Sequence, residues 1–188
     1  MSYFTVYSTL HLSIFLIVAF FVYGAIRTKI PMIPSQKIAR STLLDQVKAE
    51  IGARGAVFNK GLVIYDLGSG FGGLCFDLAK KFPSARVVGI EMIGPLWLFT
   101  WLRQKVAGPK NLSFLWGDFW KKTVSDGDIF IFYLGDVVMA QMGAKLKAEA
   151  KTGSLILSNT FPLPADWVLD HAVPLPAAVS KMIYVYRR

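Results

Sequence analysis

The spacing of hydrophobic positions changes three times along the chain. Residues 10–26, LHLSIFLIVAFFVYGAI, are uncharged and mostly apolar. With the aromatic lead-in from Tyr3 they predict a helix of roughly 36 Å at ~1.5 Å per residue, enough to span a ~30 Å hydrocarbon core. Tyr3, Phe4 and Tyr7 at one end and Tyr23 at the other suit the two interface belts. A cleaved signal peptide would need a positive leading segment, and no Lys or Arg precedes Arg27, so an uncleaved anchor is expected. Pro31 and Pro34 then break the helix. A soluble helix from Ser35 or Ser41 to about Ala53 follows, with Leu43, Leu44, Val47 and Ile51 on one face. Ile38 falls off that face. The helix is expected to pack beside a cleft of the domain that follows. The chain thus divides into an anchor (1–29), a Pro-containing linker with an amphipathic helix (30–56), and an α/β domain (57–188).

Beyond residue 61 the runs shorten to strand length. Leu62–Tyr65 reads as a buried strand that Asp66 ends, and Arg86–Ile90 as a second with Glu91 at its end. Between them Leu74, Leu78 and Phe82 recur at helical spacing. Asn111–Trp116 and Asp128–Tyr133 predict two more strands, with too few residues between them for a full crossover helix. Gly135 and Asp136 lead into a helix carrying Val138, Met142 and Leu146. Ser154–Ser158 reads as a fifth strand, and 167–174 and 182–186 as a final antiparallel pair. The stretch 96–102 follows no amphipathic period: Leu96, Trp97, Leu98, Phe99, Trp101 and Leu102 are apolar all round apart from Thr100. Such a helix is either well covered or faces a membrane or partner, and Arg103 and Lys105 could snorkel to headgroups.

The turn after the first strand carries the chemistry. Gly68, Gly70 and Gly73 fit the dinucleotide pattern GxGxxG, which alone is weak. Asp66, Gly68, Gly70 and Gly72 also fit DxGxGxG. A carboxylate two residues before the first glycine would repel a pyrophosphate lodged at a helix N-terminus. It suits S-adenosylmethionine (SAM), which has no phosphate and carries an ammonium and a sulfonium. Glu91 suits either cofactor, because a ribose diol offers donors to a carboxylate. A glycine turn that merely packs helix on strand is the third reading.

Charge sharpens the picture of the first 44 residues. The chain has 188 residues, 21 basic and 12 acidic, for a formal net charge of +9. The first acid is Asp45, so Arg27, Lys29, Lys37 and Arg40 stand unopposed. A juxtamembrane basic segment facing anionic lipid accounts for this, and places the domain on the cytoplasmic or equivalent side of a single-pass membrane protein. No interleaved basic–aromatic motif points to nucleic acid. The lone Cys75 reads as a small core residue. With only His11 and His171 in the chain, neither a histidine base nor a metal site is expected, and His11 reads as an interfacial hydrogen-bonding group.

YDLGSG (65–70), GIE (89–91), GDFW (117–120), FYLGD (132–136) and SNTFPLP (158–164) occur in an order and spacing that resemble the seven-β-strand SAM-dependent methyltransferases. With the anchor and the PMIPS linker, they resemble more narrowly the membrane-anchored protein lysine methyltransferases whose mitochondrial members modify the adenine nucleotide translocase and the ATP synthase c-subunit. The resemblance implies a Rossmann-like seven-β-strand methyltransferase domain after one N-terminal transmembrane helix. It also implies that Asp66, Gly68, Ser69 and Gly70 cradle the methionine part of SAM and that Glu91 holds the ribose. Met92 would lie against adenine, Asp118 would accept from its amino group, and Phe119 would pack on the ring. Tyr133 and Asp136 would stand where the acceptor enters. The bland alternatives are a turn-capping Asp118 and an N-capping Asp136. Family members often carry an acid and an arginine where this chain has Phe71 and Gly73, and a proline at Gly135.

Methyl transfer is an in-line displacement that an enzyme assists by orienting the nucleophile and excluding water. Tyr133 suits alignment of a neutral amine, and Asp136 steering of an incoming ammonium. The expected activity is methylation of a lysine on a membrane-associated protein, with the bilayer held through residues 1–29. The alternatives are a methyltransferase for a lipid or quinone-like small molecule, and a non-catalytic SAM-fold interaction module.

Overall fold

The computed structural model describes residues 7–9, 11–12, 15, 22–24, 35–54, 61–176 and 179–188. The chain divides into two compact units, 1–33 and 34–188. In the first, residues 7–9, 11–12, 15 and 22–24 are helical, and His11 Nδ1 lies 2.7 Å from the Tyr7 carbonyl one turn back. Most of the expected anchor, and the proline break at 31 and 34, fall outside the described residues. Among those described, no helix is long and apolar enough to cross a membrane.

The second unit is a seven-stranded sheet. Its strands are β1 (Val63–Leu67), β2 (Arg86–Glu91), β3 (Leu112–Trp116), β4 (Ile129–Phe132), β5 (Leu155–Asn159), β6 (Leu169–Pro174) and β7 (Met182–Arg187), in the spatial order β3-β2-β1-β4-β5-β7-β6. The first five run parallel, while β7 pairs antiparallel with both β5 and β6. The strand order therefore reverses between β1 and β4, the place where open α/β sheets build ligand crevices. The strands begin and end within about a residue or two of the expected positions. One shift matters: Asp66 lies inside β1 rather than at its end, in register with Gly89 and Ile131.

The helices are α1 (Lys37–Arg54), α2 (Gly73–Lys81), α3 (Gly94–Ala107) and α4 (Met139–Glu149). α1 turns Ala39, Leu43, Leu44 and Val47 into one core with Leu74 and Leu78 of α2 and with Ile64, Ile131, Leu157 and Val185 of the sheet. Each Leu or Val fully buried there contributes about 1.5–3 kcal/mol. Ile38 stays exposed, as its position off that face requires. The Arg187 guanidinium donates two bonds, 2.9 and 2.8 Å long, to the Glu50 carboxylate and so ties α1 to β7. α3 lies beside α2, with the Arg103 guanidinium 4.1 Å above the Phe76 ring. α4 buries Met142 and Leu146, and its Met139 meets Ser158 on the opposite face of the sheet from Leu157. Between β3 and β4 the described chain has turns and no helix.

Candidate cofactor and acceptor site

Four loops meet beyond the carboxyl ends of β1, β2, β3 and β4. The turn after β1 is possible because of its glycines. Gly68, Gly70 and Gly72 have φ of 84°, 52° and 72°, a region costly for any residue with a Cβ. At Gly72 a Cβ would stand 2.7 Å from the Phe114 ring, whereas one on Gly70 would meet no heavy atom within 4 Å. The turn is packed tightly underneath and open above Gly70. The Gly68 and Ser69 N–H groups both donate to the Ile90 carbonyl at 3.0 Å, which holds the turn against the end of β2.

Glu91 is the brace of this arrangement. One carboxylate oxygen accepts the Gly70 N–H and the other the Ile93 N–H, both at 2.8 Å. The side chain is buried. Burial pushes its pKa up, against the pull of N–H groups from Ile93, Gly70 and Met92. Each carboxylate oxygen accepts two hydrogen bonds, so ribose hydroxyls would have places left. Asp66 is wholly buried and takes the Cys75 thiol on Oδ2 at 3.2 Å. Its pKa rises to about 7, chiefly through burial, with the nearby Glu91 charge adding to the rise and the thiol bond opposing it. Cys75 is thus a buried partner of Asp66 as well as a small core residue. Its place in the first turn of the helix after the glycines puts it near Asp66 but does not by itself distinguish a partner from a core residue.

Adjacent loops close in. Phe119 is buried, and its ring edge would lie 3.9 Å from a Cβ on Gly68, as Leu134 Cδ2 would at 3.2 Å. The loops after β3 and β4 therefore both touch the glycine turn. Asp118 Oδ1 accepts the Trp120 N–H at 3.0 Å, so one of its oxygens caps the turn. Met92 is half-buried, and its carbonyl accepts the Trp116 indole N–H at 3.3 Å. Tyr133 is half-buried directly after β4. Asp136 is exposed and opens a 3₁₀ turn, Asp136–Val138, with Oδ1 accepting the Val137 N–H at 2.9 Å. Gly135, not Asp136, holds the N-cap position of that turn.

Two further features carry no signal in the sequence pattern. Thr160 has φ 74°, a positive value that no other non-glycine residue shares among those described. It follows the fully buried Asn159, whose side chain accepts the Thr160 hydroxyl at 3.0 Å and reaches Ser180 Oγ at 3.3 Å. Strain of this kind persists only where surrounding contacts over-determine it. The other is Arg40 of α1, whose guanidinium occupies the space a side chain at Gly73 would need and lies 3.1 Å from Asp77. The glycine at 73 is what lets α1 reach the turn.

Together these residues bring a left-handed glycine turn, two buried acids and the buried Phe119 ring side by side. Among the described residues no Lys or Arg pairs with Asp66 or Glu91. Such a site fits a ligand that brings its own positive charge.

Residues 66–170 match the family described as the ANTKMT methyltransferase domain. No curated protein matches the chain. Among solved structures, the chain is similar to an RNA methyltransferase from Salinibacter ruber in complex with S-adenosyl-L-homocysteine, at 24% identity and a TM-score of 0.66 over 82% of this chain and 93% of that one. It is also similar to TrmN from Thermus thermophilus, at 15% identity and TM-score 0.57, covering 69% of this chain and 44% of that one. A precorrin-6y C5,15-methyltransferase from Geobacter metallireducens aligns at 12% identity and TM-score 0.55, over 81% and 90%. At these identities the likeness is one of fold.

Proposed function

Because this chain belongs to the ANTKMT methyltransferase-domain family, we propose that it moves a methyl group from S-adenosylmethionine to a lysine side chain of a membrane-associated protein. It is a SAM-dependent methyltransferase. The observation that carries the cofactor half is the buried pair Asp66 and Glu91 beneath a left-handed glycine turn, with no cation among the described residues to neutralise it. S-adenosylmethionine supplies an electrophilic methyl on a sulfonium. Asp66 lies under the turn where an ammonium would be drawn. Glu91 has acceptor positions to spare for a diol, and Phe119 offers an apolar wall beside the glycines.

The acceptor half rests on Tyr133 and Asp136 at the mouth of the pocket. A lysine must lose its proton before it attacks. At pH 7 that costs about 4.6 kcal/mol for a side chain that ordinarily titrates near ~10.4. Desolvation and a neighbouring positive charge both reduce that cost. A carboxylate raises it, so exposed Asp136 belongs at the entrance, drawing the ammonium in, while the Tyr133 hydroxyl aligns the amine nearer the methyl. Residues 1–29 would tether the domain to a bacterial or organellar membrane, on the cytoplasmic or equivalent side, and raise the local concentration of a membrane-borne acceptor.

The test is to incubate membranes with methyl-labelled SAM and the full chain. Label should run with protein and appear as methyllysine after hydrolysis. Label that runs with extracted lipid would instead favour the lipid or quinone-like acceptor, and no transfer to either would leave a SAM-binding interaction module.

A further inference from the structure

α3 leaves an apolar face uncovered. Its buried side is narrow: only Leu96 and Thr100 are fully buried. Leu98, Phe99, Leu102 and Val106 are 46%, 51%, 49% and 86% exposed. At about 100° per residue these four fall within a single ~100° arc. Phe71, from the glycine turn, extends the patch by an edge-on contact with Phe99 at 6.5 Å between ring centres. Globular surfaces rarely leave large side chains contiguous and open without a use.

What surrounds the patch identifies its partner. Between Met92 and Gly117 the chain has no Asp or Glu, but carries Arg103, Lys105 and Lys110. Arg103 borders one side of the arc, and Lys105 lies on the other, near Trp101. Indoles also gather at this edge: Trp97 stacks on Trp116 at 5.7 Å and contacts Trp101 at 6.0 Å. Trp116 is 60% exposed. In the same helical layer, an open cleft of about 430 Å³ is lined by Lys37, Arg40, Lys80 and Lys81, with Asp77 pairing only Arg40 among them. Leu and Phe in the centre, Trp at the margin and cations around it are the composition of an element lying in a bilayer interface rich in anionic lipid. A second copy of the chain would bring its own cations against these, which like-charge repulsion disfavours.

We infer that the outward face of α3, with Phe71, docks in the headgroup region of an anionic membrane and holds the glycine turn against the bilayer surface. This rests on the membrane-bound reading of the chain but does not use the N-terminal segment for the contact.

The chain's tryptophans are Trp97, Trp101, Trp116, Trp120 and Trp167, all beyond residue 33. Their fluorescence therefore reports the catalytic unit and not the anchor. Full-length protein is reconstituted into phosphatidylcholine vesicles with and without phosphatidylglycerol, the acyl chains brominated near the headgroup. Quenching is expected, stronger with the anionic lipid, and reduced about twofold or more in Leu98→Glu/Leu102→Glu. That variant should still sediment with vesicles and bind S-adenosylhomocysteine. Val106→Glu, at a more exposed position, is the milder second variant and should lose part of the quenching. Absence of quenching in a wild-type chain that sediments with vesicles would overturn the docking face and leave the anchor standing. A chain that does not sediment would contradict both. Efficient cross-linking of Leu102→Cys chains to each other in place of quenching would assign the face to a second copy and overturn the proposal.

Discussion

At the amino ends of β1 and β4, acids sit among cations. Arg86 pairs with Asp126, Lys151 Nζ lies 2.9 Å from Asp128 Oδ1, and Asp128 Oδ2 accepts the Val63 N–H at 2.9 Å. Tyr65 donates to Asp126 at 2.8 Å, and burial, reinforced by that acid, pushes its phenol up to about 12. Toward the carboxyl ends of β1 and β2, Asp66 and Glu91 lie deeper, yet among the described residues only N–H groups and a thiol meet them. Both are pushed upward by burial. A buried acid without a cation is costly. The amino edge resolves that cost within the protein, whereas the carboxyl edge leaves it for a cationic ligand to resolve. The same sheet is thus finished electrostatically at one end and left incomplete at the other.

The largest contrast should come from removing an acid at each end. Glu91→Ala frees the Gly70 and Ile93 N–H groups and removes the diol acceptor. Since hydrogen bonds to charged groups contribute about 1.5–3 kcal/mol each, SAM affinity by calorimetry should fall at least ~10²-fold. Asp126→Asn, at the paired end, should leave affinity within about twofold.

The next effect is on pH. Asp66 has a folded pKa of about 7 against an ordinary 3.8. Between those values the folded chain holds a proton that the unfolded chain has lost. That contribution to stability is full below 3.8 and is lost as pH rises toward 7. A cationic ligand lowers the pKa and expels the proton, so SAM affinity should climb toward pH 7 by up to ~10-fold per unit. In Asp66→Asn both dependences should flatten; thermal melts and calorimetry from pH 5 to 8 check this.

Smaller changes belong to the acceptor side. Tyr133→Phe should lower kcat about tenfold, with SAM affinity little changed, because only the hydroxyl is lost. Asp136→Asn should raise KM for a lysine acceptor about threefold and leave kcat alone, as expected of an exposed steering charge. Unchanged kinetics in both would move the acceptor pocket toward Asn159 and Thr160. Smallest of all, Arg86→Ala breaks an exposed pair at the amino edge and should cost about 0.5 kcal/mol or less in a denaturant melt.

Much of the domain was legible because period-two and continuous apolar runs leave few choices. All seven strands and the four helices of the second unit fall close to where the pattern puts them, and the missing crossover helix between β3 and β4 follows from spacing alone. The glycine turn was legible because φ above zero selects glycine. The partners of the acids were not. Cys75 on Asp66, Gly70 on Glu91 and Arg40 beside Gly73 join residues that are separated in sequence, and only packing brings them together. The sequence allows Asp118 to be an adenine acceptor or a turn cap, and the structure shows one oxygen, Oδ1, capping the turn without deciding the role of the other. The stretch 96–102 left a covered helix and an exposed one open, because an all-round apolar sequence carries no orientation. Leu98, Phe99 and Leu102 prove to be the uncovered side. The strained Thr160 has no sequence signature, since its conformation is imposed by Asn159, Met182 and the turn into Phe161.

Proton linkage tests most directly whether the carboxyl-edge acids are held for a cationic donor. SAM is titrated into the full-length protein at pH 6.5 in two buffers of different ionisation enthalpy, for the wild type and for Asp66→Asn. Net proton release on binding to the wild type, absent in the variant, is the predicted result. Proton uptake, or equal proton counts in the two proteins, would contradict it.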